Sequence, residues 1–235
     1  YDSKKTGGVT ISHLRFGDSK IRSPYYVNKA DFVACHTPSY ITKDFPIVYD
    51  IKPGGTFLVN CVWTADELAR HMSKEAKRYI KDNGIKLYMI NAIDLAEQIG
   101  MGKRTNTILQ SAFFALADVM PIDDAVSFMK DAAEKSYMKK GQEVVDMNFR
   151  AIDAGLEAAV RIDVTDEWVN AGEAAGKAEL EGRPALVKMV TEIMEPVSRM
   201  DGDSLPVSAF VDHVDGQFEQ GASAFEKRGV AASVP

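Results

Sequence analysis

Three short apolar runs within the first ninety residues constrain the fold of this chain more than any other feature. They are "DFVAC" (Asp31 to Cys35), "GTFLVN" (Gly55 to Asn60) and "KLYMI" (Lys86 to Ile90). Such runs are typical of strands that are buried on both faces of a sheet. The sequence therefore predicts a sheet enclosed by helices. "GVTISHLRF" (Gly8 to Phe16) is also rich in β-forming residues, and we expect it to form a further strand.

A helix is predicted between the second and third of these runs. Thr64 and Glu67 have the spacing of a capping box, which marks a helix start. Apolar residues then recur at one-turn intervals, and Asn83 with Gly84 marks the end. The apolar residues are Leu68, Met72, Ala76 and Ile80. Strand, helix and strand in this order indicate a layered α/β domain.

Residues 91–159 have a helical pattern. "TNTILQSAFFALADVM" is apolar on almost all sides, which predicts a deeply buried helix that ends before Pro121. "PIDDAVSFMKDAAEKSY" and "EVVDMNFRAIDAGLEAAV" each have one apolar stripe, which we interpret as core. We expect residues 1–165 to form a three-layer α/β/α domain with a mostly parallel or mixed sheet. A connector with one helix (166–200) and an irregular segment (201–235) are expected to follow.

The composition excludes several classes of function. A net charge of −6 and a pI near 5.3 argue against a general nucleic-acid-binding protein. The sequence has no apolar run of membrane-spanning length and no signal-peptide pattern. Two cysteines are too few for a disulfide framework, which favours a cytoplasmic protein. Cys35 and His36 are adjacent and would point to opposite faces of a strand, so we expect neither a metal site nor a catalytic pair.

The stretch "DSKKTGG" is the best candidate for a binding site. Ser3, Lys4 and Lys5 supply a hydroxyl group and two ammonium groups, and the two following glycines leave backbone amides accessible. This combination suits phosphate groups. A solvated turn would have the same composition, so the residues alone leave both interpretations open.

Two further stretches carry weaker signals. "IKPGGTFLVN" contains a Lys-Pro-Gly-Gly turn that also occurs in the methyltransferase fold, but the Gly-rich loop and acidic residue of that fold are missing at suitable spacing. We expect it to be only a turn. "GMGKRTNT" places Lys103, Arg104 and Thr105 before a helix, where an anion can bind, but without the spacing of a phosphate-binding loop.

The order of these motifs resembles the gamma-type domain of pyruvate:ferredoxin (flavodoxin) oxidoreductases. The resemblance is carried by "YDSKKTGGVTISHLRFGDSKIRS", "ADFVACH", "IKPGGTFLVNCVW" and "QSAFFALADVMP". The tail "GQFEQGASAFEKRGVAASVP" resembles the segment with Glu226, Lys227 and Arg228 that leads into the iron–sulfur domain of this family. The chain begins at Tyr1 without a methionine, and we expect it to be a piece of a longer polypeptide that lacks the first strand and helix of this domain.

The resemblance implies a specific function. The parent enzyme would be a cytoplasmic homodimer that decarboxylates pyruvate on thiamine diphosphate with Mg²⁺, passes electrons through iron–sulfur clusters to ferredoxin or flavodoxin, and forms acetyl-coenzyme A. This chain would hold none of these cofactors and no catalytic residue. The resemblance assigns only Ser3, Lys4 and Lys5 to coenzyme A binding and gives no role to Lys103 or Arg104. Other domains of the same polypeptide are the expected partners.

Two alternatives remain open from the sequence. The chain could be a structural module between domains, whose lysines pair only with carboxylates. It could also be an independent methyltransferase-like enzyme, which would be complete at about this length. Titration with coenzyme A separates the first alternative from the ligand-binding hypothesis.

Overall fold

A four-stranded mixed sheet forms the centre of the molecule. In the computed structural model, which describes residues 9–22, 24–172 and 180–225, the strands lie in the order β1-β2-β3-β4. The first three strands are parallel, and β4 pairs antiparallel with β3. The strands are β1 (Ala30–Cys35), β2 (Ile51–Asn60), β3 (Lys86–Ile90) and β4 (Val160–Arg161). The three apolar runs of the sequence are therefore strands, as predicted.

One face of the sheet packs against short helices that connect the parallel strands. These are α1 (Ser39–Thr42), a 3₁₀ turn (Pro46–Asp50), α2 (Ala65–His71), α3 (Lys74–Asp82) and, further along the chain, α8 (Asp166–Asn170). Phe57, Leu68 and Ile80 are fully buried in this core. Trp168 of α8 belongs to the same core, and its indole N–H donates to the carbonyl oxygen of Ala65 (3.0 Å). The expected connector therefore begins with a helix that is part of this domain's core.

The other face is covered by the helices between β3 and β4. They are α4 (Ala92–Ile99), α5 (Asn106–Ala117), α6 (Ile122–Tyr137) and α7 (Gln142–Glu157), and a short 3₁₀ turn (Met138–Lys140) links the last two. Leu58, Ile90 and Ile108 are central in this second core. Because helices cover both faces, the expected three-layer α/β/α architecture with a mixed sheet is confirmed.

Residues 180–225 contain shorter elements. They comprise α9 (Pro184–Met189), a π-helical turn (Val190–Met194), α10 (Glu195–Ser198) and three 3₁₀ segments (Gly202–Ser204, Val207–His213 and Ala222–Phe225). A small cluster forms around Leu186, Val190 and Ala222. The stretch in which we expected one helix (166–200) thus contains a helix from Pro184, and this helix winds more widely from Val190 to Met194.

The predicted single helix between β2 and β3 is wrong. The capping box forms as expected, because the Thr64 side chain accepts a hydrogen bond from the Glu67 N–H and the Glu67 carboxylate accepts one from the Thr64 N–H. The helix ends at His71, however, and Ser73 starts a second helix by accepting a hydrogen bond from the Ala76 N–H. The apolar spacing continues across this break, so it did not reveal the break.

The Lys-Pro-Gly-Gly stretch lies inside β2 as an irregularity rather than before the strand. Ala30 pairs with Ile51 and Phe32 pairs with Thr56, so four residues of β2 (52–55) loop out of the ladder. Gly54 has a φ of 76°, and a Cβ atom on Gly55 would lie 2.7 Å from Ile51 Cγ2. Both positions therefore require glycine for a reason of backbone geometry.

Two other expectations are corrected. Val9–Phe16 belongs to no strand in the described residues, where no segment pairs with it, and a strand needs a hydrogen-bonded neighbour. Helix α5 is buried on one side only, and it ends at Ala117 because Asp118 adopts the left-handed conformation with a φ of 49°.

Candidate functional site

The predicted anion-binding stretch lies outside the described residues. Ser3, Lys4 and Lys5 precede residue 9, at which the described part of the chain begins. The backbone N–H of Thr10 donates to the hydroxyl of Tyr40 (2.9 Å). Tyr40 belongs to α1, which follows the carboxyl end of β1. The chain thus joins the domain close to the edge of the sheet at which the parallel strands end.

Residues 9–22 and 24–29, here called the arm, are extended but held in shape by side chains. The Arg15 guanidinium donates to the carbonyl oxygens of Tyr25 (2.6 Å) and Tyr26 (2.9 Å) and lies over the Tyr25 ring. His13 Nδ1 accepts a hydrogen bond from the Val27 N–H (3.1 Å), and its ring packs on Tyr26. These contacts hold the segment around His13 and Arg15 against residues 25–27.

Asn60 connects three loops at the carboxyl edge of the sheet. Its amide nitrogen donates to the His36 carbonyl oxygen (3.1 Å), and its amide oxygen accepts from the Ala92 N–H (3.1 Å) at the start of α4. Asn60 is only 4% exposed. Ligands of open α/β sheets bind outside the carboxyl ends of the strands. Asn60 therefore keeps the loops after β1, β2 and β3 in fixed positions at the edge where such a ligand would lie.

The two cysteines are buried thiols. The Cys35 thiol donates to the Thr37 carbonyl oxygen (3.3 Å), and burial raises its pKa to about 12. Burial also raises the pKa of the Cys61 thiol. Both thiols are therefore protonated at neutral pH and belong to the core of the domain. His36 lies on the exposed side of the strand end, away from the core that holds Cys35, and desolvation lowers its pKa.

Lys77 is a buried cation that no sequence pattern indicated. Its side chain is 0% exposed, and its ammonium group donates to the carbonyl oxygens of Ala69 (2.8 Å) and Ala171 (2.7 Å). Ala69 is in the last turn of α2 and Ala171 directly follows α8, so the negative ends of two helix dipoles face the ammonium group. Lys77 therefore fastens α2, α3 and the chain at Ala171 to one another.

The basic loop before α5 does not form a defined anion site. Lys103 and Arg104 are exposed, and Arg104 Nε donates to the Met101 carbonyl oxygen (3.0 Å). The Thr105 side chain makes no capping hydrogen bond. The structure therefore gives no further support for an anion site at Lys103, Arg104 and Thr105.

Two negative findings apply to the described part of the chain. Within residues 9–22, 24–172 and 180–225, no three His, Cys, Asp or Glu side chains are placed to hold one metal ion. None of the helices in these ranges has the length and apolar character needed to cross a membrane.

Comparison with known proteins identifies the family. The family model of pyruvate ferredoxin/flavodoxin oxidoreductases matches residues 1–158. A second model, EKR, is described as a domain of unknown function and matches residues 177–231. Glu226, Lys227 and Arg228, on which the resemblance of the tail rested, lie outside the described residues.

Several curated relatives align with the entire chain. It is 48% identical over 235 residues to the pyruvate-flavodoxin oxidoreductase of Enterobacter agglomerans, and 43% identical over 235 residues to the pyruvate:ferredoxin oxidoreductase of Moorella thermoacetica. It is 37% identical over 258 aligned residues to the pyruvate dehydrogenase [NADP(+)] of Cryptosporidium parvum. The chain spans 20% of the length of the first two relatives and 13% of the third.

The family match removes the methyltransferase hypothesis, since it covers the stretch on which that hypothesis rested. The match extends over residues 1–158 of the 235. The chain belongs to the pyruvate ferredoxin/flavodoxin oxidoreductase family.

Proposed function

We propose that this chain is part of a cytoplasmic, homodimeric enzyme that oxidises pyruvate to acetyl-coenzyme A and passes the electrons to flavodoxin or ferredoxin. The observation that carries this proposal is the alignment of the whole chain, at 43% identity or more, with relatives that are named for this activity. The chain spans one fifth of their length, so the activity belongs to a longer polypeptide. The chain alone is not catalytic in this proposal.

Ser3, Lys4 and Lys5 hold phosphate groups of coenzyme A in this proposal. Coenzyme A carries a pyrophosphate and a ribose phosphate, and two adjacent ammonium groups match that density of negative charge. The anchor of Thr10 on Tyr40 supports the assignment. Lys5 precedes Thr10 by five positions in the sequence, and Thr10 lies near the carboxyl edge of the sheet, where ligands of such folds bind.

The other cofactors are proposed to be held by parts of the polypeptide outside this chain. Thiamine diphosphate with Mg²⁺ would supply the decarboxylation chemistry, and iron–sulfur clusters would conduct the electrons. Cys35 and Cys61 belong to the core of the α/β domain, and no group of three or more His, Cys, Asp or Glu side chains in the described residues could hold a metal ion. The contribution of this chain is therefore coenzyme A binding and packing between domains.

The electron acceptor is proposed to be selected elsewhere. Relatives that are named for flavodoxin, for ferredoxin and for NADP⁺ all align with the full length of this chain at 37–48% identity. A region that is shared by enzymes with three acceptors is a poor candidate for the acceptor site. The acidic character of this chain supports the same conclusion, since flavodoxins and ferredoxins are acidic and like charges slow their encounter.

The test is kinetic and uses the full-length enzyme. In Lys4→Ala and Lys5→Ala variants, we expect the KM for coenzyme A to rise roughly tenfold to a hundredfold, because each charge-assisted contact contributes about 1.5–3 kcal/mol. Single-turnover reduction of the clusters by pyruvate should remain unchanged, since it precedes coenzyme A. Lys86→Ala is the matched control: this exposed lysine begins β3, at the opposite edge of the sheet.

The result also separates coenzyme A binding from a purely structural role. A lysine that only pairs with a carboxylate of a neighbouring domain would affect stability and both half-reactions together. If the KM for coenzyme A stays at the wild-type value in both variants, Lys4 and Lys5 are not part of the coenzyme A site.

A further inference from the structure

The C-terminal region, residues 180–225, contains an open cavity of about 210 Å³. One wall is formed by α9 and the π-helical turn that continues it, and the other by the 3₁₀ segment Val207–His213 together with Glu219. Since a water molecule occupies about 30 Å³ in the liquid, the cavity has the volume of about seven waters. A small organic molecule therefore fits into it.

Side-chain contacts link the two walls of this cavity. The ammonium nitrogen of Lys188 lies 3.2 Å from the Asp212 carboxylate. Arg183, directly before α9, lies 3.4 Å from the Glu219 carboxylate, and the Glu219 N–H donates to the Met189 sulfur (3.2 Å). The space between the walls is therefore present before a ligand binds, which lowers the cost of ordering the site.

The helical wall has an unusual winding and an apolar surface. It includes the π-helical turn Val190–Met194, and π-helical turns are rare and occur frequently at functional sites. The apolar side chains that line this wall are spaced four residues apart: Ala185, Met189 and Ile193. Ala209 lines the other wall. A ligand in the cavity therefore contacts aliphatic groups on both sides.

The charged groups that line the cavity are mainly acidic. Glu192, Asp212 and Glu219 contribute three carboxylates and Lys188 contributes one ammonium group, so the formal charge of the lining is −2. Asp212 and Glu219 are paired with basic residues. Among the described residues, Glu192 has no hydrogen-bond or ion-pair partner. The lining therefore favours a cation, with Glu192 as the carboxylate that can accept from it.

His213 adds a hydrogen-bond acceptor to the lining. Its Nδ1 atom lies 3.0 Å from the carbonyl oxygen of Gln217, which can only accept, so Nδ1 carries a proton. In the neutral ring Nε2 is then an acceptor. No three His, Cys, Asp or Glu side chains of the described residues are placed to hold a metal ion. Acceptors beside aliphatic groups suit an organic cation that has N–H donors.

We propose that this cavity binds a small primary amine in its protonated form. The ammonium group is held by the acidic lining, with Glu192 as its main partner, and the aliphatic part lies on the wall that contains Met189 and Ile193. The site goes beyond the proposed function and is independent of coenzyme A binding.

Methyl NMR spectroscopy of the full-length enzyme tests this site. The Met189 side chain is only 2% exposed and lines the cavity, so its isotope-labelled methyl group reports a ligand there. The loss of one signal in Met189→Leu assigns it. The probe is n-butylammonium, and the control is butyrate, which has a similar size and the opposite charge. We expect butylammonium to shift the Met189 signal with a dissociation constant on the order of 1 mM, and butyrate to leave it unchanged.

Two variants connect this binding with the lining. Glu192→Gln keeps the size of the side chain but removes its charge, and it should weaken butylammonium binding roughly tenfold. Ala209→Phe fills the cavity and should abolish the shift. Glu181→Gln, at an exposed glutamate of the same region outside the cavity, is the matched control and should bind as the wild type does.

Three results would overturn the proposal. The first is a Met189 signal that does not respond to butylammonium up to about 20 mM. The second is equal binding of butyrate, and the third is a wild-type dissociation constant in Glu192→Gln. None of these results would alter the coenzyme A kinetics of the Lys4 and Lys5 variants, so the two proposals can fail separately.

Discussion

The α/β domain and the C-terminal region keep their shape in different ways. The domain, residues 30–172, has a sheet with a core on each face, and its core residues come from distant parts of the chain. The region at 180–225 has one small cluster around Val190 and exposes most of its other large apolar side chains. We therefore expect the first to be the more stable of the two regions, since it buries much more apolar surface.

The largest effect is expected at Lys77. Lys77→Met keeps an unbranched side chain but removes the ammonium group that donates to the carbonyl groups of Ala69 and Ala171. We expect a loss of about 3 kcal/mol in the free energy of unfolding, measured by chemical denaturation. Lys86→Met, at an exposed site, is the control. A loss below about 1 kcal/mol would show that the contact between Lys77 and Ala171 adds little to the stability of the domain. The chain at Ala171 would then belong with the C-terminal region.

A smaller loss is expected where α5 and α7 approach each other. A Cβ atom at Gly155 would lie 2.6 Å from the Ile108 carbonyl oxygen and 2.8 Å from Ser111 Cβ. We expect Gly155→Ala to cost about 2 kcal/mol of stability, since overpacking outweighs the gain in helix propensity. Gly17→Ala in the arm, where nothing lies within 4 Å, should change stability little. Equal melting temperatures would contradict close packing of the second core.

The buried thiol of Cys35 predicts a pH dependence of the domain's stability. Burial raises the pKa of this thiol from its ordinary value of 9.0 to about 12 in the folded chain, so between these values the unfolded state binds fewer protons. Stability therefore falls as the pH rises, by about 1.4 kcal/mol between about pH 8 and about pH 10. Denaturation of wild type and Cys35→Ala at both pH values isolates this contribution. If the wild type and Cys35→Ala lose the same free energy of unfolding between the two pH values, burial does not raise the pKa of Cys35.

The smallest change in the stability of the α/β domain is expected from a substitution in the C-terminal region, residues 180–225. Both tryptophans, Trp63 and Trp168, lie in the α/β domain, so their fluorescence reports its unfolding alone. Val190→Ala should shift this transition by less than about 0.5 kcal/mol. It should nevertheless speed proteolytic cleavage within residues 180–225, because it opens the small cluster. If cleavage began instead between Asn106 and Glu157, the order of stability would be reversed.

The sequence predicted the layers of the fold because strand burial leaves a direct pattern. Asp31 to Cys35, Gly55 to Asn60 and Lys86 to Ile90 are apolar where the sheet is covered on both faces. The break at Ser73 and the irregularity at Gly54 were missed, since each depends on how a backbone group finds a partner in space. Strand formation at Val9–Phe16 was predicted from side chains alone, although a strand also needs a neighbour.

Sequence patterns predicted less of the candidate site than of the fold. Ser3, Lys4 and Lys5 were selected from composition and family resemblance, and they remain a prediction because they lie outside the described residues. Asn60 could have been noticed as a polar residue that ends an apolar strand. Lys77 left no signal, because its burial results from three separate segments that meet around it.

The most direct test of the central claim is a comparison of two ligands on the full-length enzyme. Equilibrium dissociation constants of coenzyme A and of 3′-dephospho-coenzyme A should be measured for the wild type, Lys4→Ala, Lys5→Ala and the Lys86→Ala control. If the lysines hold the phosphate groups, at least one variant should lose about tenfold of the wild-type preference for coenzyme A over the dephospho form. If both variants bind the two ligands with wild-type constants, the claim that this chain binds coenzyme A through Lys4 and Lys5 is contradicted.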